Sequence, residues 1–516
     1  MSSVIFTILC SLCFCEGAKI LAVVSTPSYS HQVYFHNLWR ELLARGHHVT
    51  LISTEPIYDN DLINLTNINI NATYDAVDKM KLMGKEFSMW QLINQFEDFL
   101  RTSTKLHFSH PEVKKLLNDS SAHFDLVIYE LVASSLVYSW KFSCPSILVS
   151  SLDSSLEDHF ILGNSFHPLV TPEQNVHIAD PEKISFLEKL VSITYSVSCI
   201  SFMYTKFYPA AEEEIKKQLG YDVPSLWELS RNISLIMDAT NPIFHNIRAV
   251  GPNTIHIGSG LHINKPKSLP EDLKDFLDNS PVPVVYFSLG TNVKGNLLNQ
   301  TTKAEFYKAF SELPYKFLVK VDWENLTIPK NVKVARWLPQ QDVLRHANVK
   351  LFITQGGLQS LQEAVTNAIP MVGIPFFGDQ FQNVQKIVKR GIAVKLHRHE
   401  ISKETIKNAI TKVLTDPTYK QKVEEMRDLM YDEPMTSLDK AIWWIEYVLR
   451  HKGAPLFKSN AANMPMYEYL MLDVIGAVLA FLIVLSVFIK LIYKSLKFIL
   501  SRLIGGYFVK SKKKRD

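Results

Sequence analysis

The chain has 516 residues, of which 47% are hydrophobic and 21% are charged. This is ordinary globular usage, which excludes a mainly disordered or fibrous chain, and the length suggests about three domains or two large ones with appendages. With 55 Lys and Arg against 51 Asp and Glu, the net charge of +4 is too small to favour nucleic acid as a partner, and 5 Cys are too few for a disulfide-stapled scaffold or a Cys-rich metal module.

The first segment of the chain is typical of a secretory signal peptide. Val4–Leu12 is apolar but too short to span a bilayer, and small residues follow it at a suitable distance for cleavage. The sequence therefore predicts a signal peptide over 1–17 and a mature chain that begins near Ala18, with a buried first strand or helix as the alternative. After cleavage only Cys144 and Cys199 remain, which leaves one internal disulfide or two free thiols.

Strand and helix patterns alternate in the first half. A buried-type strand at Lys19–Ser25 leads into a loop, a helical pattern over Phe35–Ala44 and a second strand at His48–Ser53, which together make one βαβ unit. Further buried-type strands are predicted at Asp125–Tyr129 and Ser146–Ser150. This alternation predicts a parallel sheet with covering helices.

The segment Ile184–Tyr208 is apolar and aromatic, and Lys189 and Lys206 interrupt it. These charges argue against a transmembrane span. Two interpretations stay open, namely helices that cover a substrate cleft and touch a membrane, or ordinary core helices.

A second alternating series follows the loop around Asn264–Pro270. It has a turn at 290–292, a helix near Lys303–Glu312, and strands at Pro283–Leu289, Lys316–Val321, Val332–Trp337, Val349–Thr354 and Met371–Pro375. Two such series predict an α/β fold with two Rossmann-like domains, over 18–265 and 266–450. Because ligands bind at the carboxyl ends of parallel strands, we expect the site in a cleft between the domains.

The C-terminal region is predicted to anchor the chain in a membrane. After a linker over 451–469, an apolar stretch over 470–490 is long enough to span the hydrocarbon core. A strongly basic tail follows over 491–516, whereas acidic residues precede the span. The positive-inside rule therefore places the tail in the cytoplasm and the domains in the lumen or outside the cell. A buried core helix would not explain the one-sided basic tail.

Short motifs suggest where the chain resides. The run Lys513–Asp516 resembles a dilysine retrieval signal for the endoplasmic reticulum, and the alternative is a basic stretch against anionic headgroups. With the signal peptide, this favours a single-pass type I protein of the endoplasmic reticulum membrane with lumenal domains. Glycosylation sequons on the lumenal side begin at Asn64, Asn71, Asn118, Asn232, Asn299 and Asn325.

The most informative stretch is Phe352–Gln380, in which a strand runs through Gly356 and Gly357 into a helix. Glycines let backbone N–H groups approach an anion, and the helix N-terminus adds partial positive charge. The pattern predicts a diphosphate cradle that uses neither a Lys nor a metal ion.

Polar side chains flank this predicted cradle. Gln359 and Glu363 are four residues apart and share one helical face, where the Glu363 carboxylate could accept both hydroxyls of a ribose. Asp379 and Gln380 follow the next strand end, where they could bond sugar hydroxyls. Glu363 as a solvated helix residue is the alternative.

The stretch Phe352–Gln380 resembles the signature of the UDP-glycosyltransferases, and Arg336–Gln340 and Phe287–Thr291 resemble donor-site segments of that family. The resemblance covers essentially the whole chain. It implies a GT-B type fold and an inverting, metal-independent transfer of a hexose from a UDP-sugar to a small lipophilic alcohol or phenol. Likeness to insect members favours UDP-glucose as the donor, with no permanently bound cofactor.

The resemblance also implies roles on the donor side. Trp337 is expected to stack on uracil, Gln340 to bond the nucleotide, and Ser288 and Thr291 to contact phosphate; Trp337 as a core residue is the alternative. Gln355 stands where many members have His. Because Gln cannot supply a cationic donor, more of the diphosphate binding falls to backbone amides and the helix dipole.

On the other domain, His31 lies in the loop that holds the family's catalytic histidine, and an imidazole with a pKa of about 6.5 suits a general base. The family pairs this histidine with an Asp, for which this chain has Glu130. A Glu can still accept a hydrogen bond from the ring. Asp125 is the alternative partner, and the nearby competitors for the base are His36, His47 and His48.

Two other function classes stay open. Gln355 and Glu130 would also suit a non-catalytic, membrane-anchored nucleotide-sugar or small-ligand receptor on the same fold. A metal-dependent transferase could use Asp59 and Asp61, although such pairs are common by chance. Arg248 aligns loosely with a donor-carboxylate contact of glucuronosyl members.

Overall fold

The structure is a computed structural model. It describes residues 17–79, 89–130, 133–165, 167–173, 176, 178, 183–291, 298–321, 323 and 326–512. The predicted signal peptide up to residue 16, Asn325 and the four-residue retrieval motif lie outside the described residues. The described chain forms one compact unit that ends at Ser459 and a second that begins at Asn460.

Among the described residues, seven parallel strands form the first sheet in the order β3-β2-β1-β4-β5-β6-β7. In chain order they are β1 (Lys19–Val24), β2 (His48–Ser53), β3 (Leu65–Asn69), β4 (Leu126–Glu130), β5 (Ser146–Ser150), β6 (Leu235–Asp238) and β7 (Thr254–His256). The helices of this half are α1 (Tyr29–Val33), α2 (His36–Ala44), α3 (Tyr74–Lys79), α4 (Met89–Ser109), α5 (Pro111–Asn118), α6 (Leu136–Lys141), α7 (Leu156–Ile161), α8 (Phe186–Phe202), α9 (Tyr208–Leu219) and α10 (Leu226–Ser230).

A second parallel sheet, with six described strands, has the order β10-β9-β8-β11-β12-β13. Its strands are β8 (Val284–Ser288), β9 (Lys316–Lys320), β10 (Val332–Ala335), β11 (Val349–Thr354), β12 (Met371–Gly373) and β13 (Ala393–Lys395). The helices of this half are α11 (Glu271–Asp278), α12 (Gln300–Glu312), α13 (Gln340–Arg345), α14 (Leu358–Thr366), α15 (Gln380–Lys389), α16 (Lys403–Thr415), α17 (Pro417–Tyr431) and α18 (Ser437–His451).

In both sheets the strand order reverses between two neighbouring strands, β1 and β4 in the first and β8 and β11 in the second. At such a point the loops that leave the two strands turn away from each other and open a crevice. The register places Val23 beside Tyr129 and Thr354 beside Ser288, so the carboxyl ends of each pair are level. The predicted fold class of two parallel α/β sheets is therefore confirmed.

The buried core is continuous across the two halves. Trp39 on α2 and Phe35, the residue before α2, belong to the same buried apolar cluster as Ile445 on α18. Near these contacts, the Ser437 hydroxyl on α18 donates to the carbonyl of Ser259 at 2.8 Å. The last helix of the C-terminal half therefore packs against the N-terminal half.

Local differences from the expected elements are informative. The predicted loop after β1 contains α1, which carries His31. The buried side chain of Gln32 donates to the carbonyls of Val24 and Thr26, and this ties α1 to the end of β1.

Cys144 and Cys199 are free thiols, so the disulfide alternative is wrong.

The segment predicted over Ile184–Tyr208 begins as helix α8 and continues through a π-helical turn at Met203–Phe207 into α9. Large apolar side chains of α8 are exposed, among them Phe186 and Leu187. The interpretation as ordinary core helices is therefore wrong for α8.

The second unit contains α19 (Met466–Tyr469) and α20 (Leu472–Lys512). Helix α20 covers the predicted span and continues through most of the basic tail. By length and composition, two described helical segments could cross a membrane, Phe186–Leu219 and Leu472–Leu503, and the apolar window of the second has none of its residues buried.

The shared core generates a stability prediction. Trp39→Ala removes an indole that is 1% exposed, and we expect a loss of about 3–5 kcal/mol in the free energy of unfolding because a cavity remains. Chemical unfolding of the full chain in detergent measures it. Ile63→Ala is the matched control, since Ile63 is 89% exposed, and its effect should stay within about 0.5 kcal/mol. Equal effects of the two substitutions would contradict the prediction.

Candidate active site

His31 and Glu130 meet at the crevice of the first sheet. His31 lies on α1 after β1, and Glu130 is the last residue of the neighbouring strand β4. His31 Nδ1 lies 2.9 Å from Glu130 Oε1, and the Glu130 side chain is fully buried. Because the carboxylate accepts, it assigns the ring proton to Nδ1 and leaves Nε2 unprotonated.

This environment shifts the titration of His31. Burial lowers the pKa of the imidazole, but the charge and hydrogen bond of Glu130, together with the charge of Asp379, raise it by more. The pKa of His31 is therefore raised above its ordinary value of 6.5. A stronger base results, which accepts a proton readily once it has itself been deprotonated.

Ser151 completes the group, and no sequence motif marks this residue. Its hydroxyl donates to Glu130 Oε1 at 2.8 Å and lies 2.9 Å from His31 Nδ1. Its backbone N–H also points to Glu130 Oε1 at 3.4 Å. Ser151 follows directly after β5, the strand next to β4. That position was the available signal, because polar residues at neighbouring carboxyl ends converge.

The competing residues lie elsewhere. His36 bonds the carbonyl of Glu55, His47 accepts from the N–H of Ala18, and His48 is exposed at the start of β2. Asp125 accepts from the N–H of Lys19 at 2.7 Å, at the amino end of the strands. These residues are therefore on the opposite edge of the sheet or engaged outside the His31 group.

The glycine cradle forms at the crevice of the second sheet. Gly290, after β8, has a φ of +74° and Gly356, after β11, a φ of +87°, backbone conformations that disfavour other residues. A Cβ on Gly290 would lie 2.2 Å from Gln355 Nε2, so the carboxamide of Gln355 packs directly on this glycine. Helix α14 begins at Leu358 with Gly357 at its N-cap.

The phosphate-contacting hydroxyls expected from the sequence lie beside this cradle. Ser288 is buried at the end of β8, and its hydroxyl accepts from the N–H of Gly290 at 3.3 Å. Thr291 is exposed in the turn that follows. Ser288 therefore ends the strand next to β11, and Thr291 lies in the turn after it.

Glu363 is buried in a network of neutral donors. Gln340 Nε2 donates to Glu363 Oε2 at 2.6 Å, and Gln341 Nε2 donates to Oε1 at 3.0 Å. Burial raises the pKa of Glu363, and these two hydrogen bonds oppose the rise. Glu363 is thus not a solvated helix residue. Gln341 was not among the residues predicted from the sequence, although it is the neighbour of Gln340.

Trp337 is 56% exposed, so the interpretation as a core residue is wrong. Lys320 Nζ lies 4.2 Å from the centre of one indole ring, and Tyr29 of the first half meets the indole edge-on at 5.4 Å. Burial lowers the pKa of Lys320. Lys320 is the last residue of β9, the neighbour of β8. This position at a strand end is the sequence signal that could have identified it.

Two predicted sugar or ribose contacts have protein partners. Gln359 Nε2 donates to the carbonyl of Ser30 at 2.6 Å and so links the two halves beside His31. The carboxamide oxygen of Gln380 accepts from the N–H groups of Phe376 and Phe377 and holds that turn. For Gln380, the amide nitrogen is the group that could reach a sugar.

Asp379 is fixed next to the cradle. Asn383 Nδ2 donates both to Asp379 Oδ2 at 2.7 Å and to the carbonyl of Gly356 at 3.0 Å. Burial raises the pKa of Asp379, against the Asn383 bond and the charge of His31. Asn383, which was not predicted from the sequence, thus connects the predicted sugar contact with the glycine turn.

Two adjoining cavities extend from this region between the halves. Each has a volume of about 20 Å³; one is lined by Asp379 and Leu358 and the other by Arg248, and Asp153 and Lys386 line both. The Nε and one terminal nitrogen of Arg248 are buried without a hydrogen-bond partner. Burial lowers the pKa of Lys386 to about 8.

Asp153, His159 and Asp238 form a group whose spacing could hold a metal ion. The N–H of Gly251 donates to Asn164 Oδ1, which turns Asn164 Nδ2 toward His159 Nδ1 at 3.0 Å. The proton of neutral His159 therefore sits on Nε2, the nitrogen that a metal would need. With the proton on that nitrogen, His159 is a poor metal ligand, and its Nε2 is buried without a hydrogen-bond partner among the described residues. Asp59 is bound to Arg40 on the surface.

Comparison with known proteins adds independent information. Residues 18–513 match the sequence profile described as UDP-glucoronosyl and UDP-glucosyl transferase. The chain is 31% identical over 491 residues to UDP-glucosyltransferase 2 of Dactylopius coccus and 28% identical over 508 residues to UDP-glucuronosyltransferase 2B7 of Homo sapiens; each alignment covers 93% of both chains.

Solved structures show the same fold at low identity. The calicheamicin glycosyltransferase CalG4 is 16% identical, with a TM-score of 0.57, and the match covers 84% of this chain and 99% of that chain. The glycosyltransferase of kitacinnamycin has a TM-score of 0.54 over the same shares, at 18% identity.

The dyad geometry predicts the effect of neutralising its carboxylate. Glu130→Gln removes the negative charge that stabilises the imidazolium, so the pKa of His31 should fall below that of the parent chain. Acylation of His31 by diethyl pyrocarbonate at a series of pH values, read by peptide mass spectrometry, reports the unprotonated fraction. Its midpoint should lie above 6.5 in the parent chain and move to lower pH in the variant. Exposed His48 is the internal control, and an unchanged His31 midpoint would contradict the assignment.

Proposed function

The chain belongs to the UDP-glycosyltransferase family, and from this premise we propose that it transfers a hexose, glucose in the first instance, from a UDP-sugar to the hydroxyl of a small lipophilic acceptor. The observation that carries the mechanism is the His31–Glu130–Ser151 group, which faces the cradle of the second half across one cleft. The inferred products are a glycosylated acceptor and UDP.

His31 acts as the general base in this proposal. Its unprotonated Nε2 takes the proton of the acceptor hydroxyl as that oxygen attacks the anomeric carbon. The bond between this carbon and the UDP oxygen breaks, and the electron pair leaves with UDP, so that the configuration is inverted. Glu130 keeps the Nδ1 proton in place and stabilises the imidazolium that forms.

The second half binds the nucleotide. The backbone amides at the start of α14 and its helix dipole stabilise the negative diphosphate, for which Gln355 adds a neutral donor. Uracil stacks on the exposed indole of Trp337, and Glu363 accepts the ribose hydroxyls. Because this set relies on neutral donors and Lys320, we propose that transfer needs no metal ion, and activity should therefore be insensitive to EDTA.

One observation favours a second donor. Arg248 has two buried nitrogens without a hydrogen-bond partner, and Lys386 lines both its cavity and the adjoining one, which Asp379 lines. The carboxylates of Asp153 and Glu173 line the same cavity, but they leave these two Arg248 nitrogens without hydrogen bonds, which the carboxylate of a uronic acid would supply. UDP-glucuronate is therefore the alternative donor. Arg248→Ala should abolish use of UDP-glucuronate but spare UDP-glucose.

We also propose that α20 anchors the protein in the membrane of the endoplasmic reticulum with its catalytic unit in the lumen. The exposed apolar side chains of α20 and the basic residues after them support this orientation. Asn71, Asn118 and Asn232 are exposed on the surface, which suits glycosylation. Conjugation of lipophilic compounds at this site would serve detoxification.

The role of His31 predicts the behaviour of His31→Ala. Purified protein is assayed for UDP release with UDP-glucose and UDP-glucuronate against a panel of phenols. Loss of the base should lower kcat by about 10²–10⁴-fold, while the Kd for UDP changes little because His31 belongs to the other half. His48→Ala is the matched control and should act like the parent chain. Parent-like turnover of His31→Ala would remove His31 from this role, and tight UDP binding without turnover by the parent chain would favour the receptor alternative.

The ribose contact predicts a second result. The parent chain should bind UDP about tenfold or more tightly than 2′-deoxy-UDP, because the buried Glu363 loses a hydrogen-bond donor. In Glu363→Gln this difference should shrink, which calorimetry measures. A control is Glu404→Gln, on the exposed start of α16, which should keep the full preference. An undiminished preference in Glu363→Gln would exclude the contact.

A further inference from the structure

His262 lies in the connection between the two halves and is held in place by the first half. Its ring stacks on Tyr34, the residue directly after α1, with the ring centres 5.3 Å apart. Asn37 Nδ2 on α2 donates to the carbonyls of Leu261 and Ile263, the two chain neighbours of His262. The imidazole is therefore positioned by contacts that its own nitrogens do not make.

The ring of His262 faces helix α14 of the second half. Both ring nitrogens are buried without a hydrogen-bond partner among the described residues, and Nε2 lies 3.6 Å from Glu363 Oε1, beyond hydrogen-bond distance. Burial lowers the pKa of His262 to about 4, against the nearby carbonyl of Gln359, so the ring is neutral near physiological pH. Because the groups that it faces on α14 are acceptors, its one proton belongs on Nε2.

The hydrogen-bond capacity of Glu363 limits what can surround it. A carboxylate has about four acceptor sites, and Gln340 and Gln341 fill one each, on Oε2 and Oε1. The sequence predicts that Gln340 also bonds the nucleotide, yet both hydrogens of its Nε2 are already given to Ser360 Oγ and Glu363 Oε2. Gln340 can donate to the nucleotide only by releasing one of these partners, and release of Glu363 would take a donor from a buried carboxylate.

We propose that His262 is a positioning residue of the donor site, which donates its Nε2 proton to Glu363 Oε1 when UDP is bound and so replaces the hydrogen bond that Gln340 gives up. Closing the gap of 3.6 Å by about 0.6 Å gives an ordinary N–H···O distance. Oε1 then accepts from Gln341 and His262, and the acceptor sites of Oε2 are open to the ribose hydroxyls. The role of His262 rests on the proposed ribose contact of Glu363 and is independent of the sugar and the acceptor.

Calorimetry of the purified full chain in detergent, with UDP and with 2′,3′-dideoxy-UDP, tests this role. His262→Phe keeps an aromatic ring against Tyr34 but removes the N–H. The Kd for UDP should rise by about fivefold or more, because the carboxylate that holds the ribose loses a donor. The Kd for 2′,3′-dideoxy-UDP, which lacks both ribose hydroxyls, should change less than about twofold. Retained binding of the dideoxy nucleotide also shows that the variant is folded.

Two further variants separate hydrogen bonding from packing. His262→Gln restores an N–H at a similar reach and should recover most of the affinity for UDP. His399→Phe alters an exposed histidine outside the donor site and should bind both nucleotides like the parent chain.

Four results would overturn the proposal. Parent-like UDP binding by His262→Phe, in a series where Glu363→Gln loses its preference for UDP over the dideoxy nucleotide, overturns the role of His262 alone. Equal weakening of both nucleotides by His262→Phe, or no recovery in His262→Gln, would leave the ring with a packing role only. A full preference for UDP in Glu363→Gln would exclude the ribose contact itself, and the role of His262 with it.

Discussion

The burial of Glu130 is the constraint on which the cleft depends. A carboxylate removed from water is costly unless donors surround it. His31 and Ser151 supply donors to Oε1 from the segments after β1 and β5, the two strands on either side of β4, whereas Oε2 is buried without a hydrogen-bond partner among the described residues. The same bonds order helix α1, hold the imidazole proton on Nδ1 and raise the pKa of the ring. One electrostatic requirement therefore sets loop conformation, tautomer and basicity together.

On the donor side of the cleft, a second buried carboxylate, that of Glu363, is stabilised by neutral hydrogen-bond donors. Glu363 is buried between the amides of Gln340 and Gln341, and Gln341 also donates to the carbonyl of His262 in the connection between the halves. Gln359 reaches the carbonyl of Ser30, next to His31. The donor-side network is thus coupled by hydrogen bonds to the loop that carries the base. Positions of nucleotide and base are consequently set by one continuous polar framework.

Most of the fold could be predicted from the sequence, because buried parallel strands read as short apolar runs and their order within a βαβ series is constrained. The site was predicted in part. His31, Glu130 and the glycine turn carry local signals, whereas Ser151, Lys320, Gln341 and Asn383 are ordinary polar residues at strand ends or in helices. Their importance comes from neighbours that are distant in sequence. The role of Gln359 as a link between the halves had no local signal either.

The sequence by itself determined the fold class, the crevices at the strand ends and the family, because apolar periodicity, glycine positions and motif spacing are properties of short segments. Only the tertiary structure decided which donors satisfy Glu130 and Glu363, that the cysteines stay unpaired, and that α8 presents its apolar face outward. Burial and hydrogen-bond partners depend on which segments pack together, and no short segment contains that information.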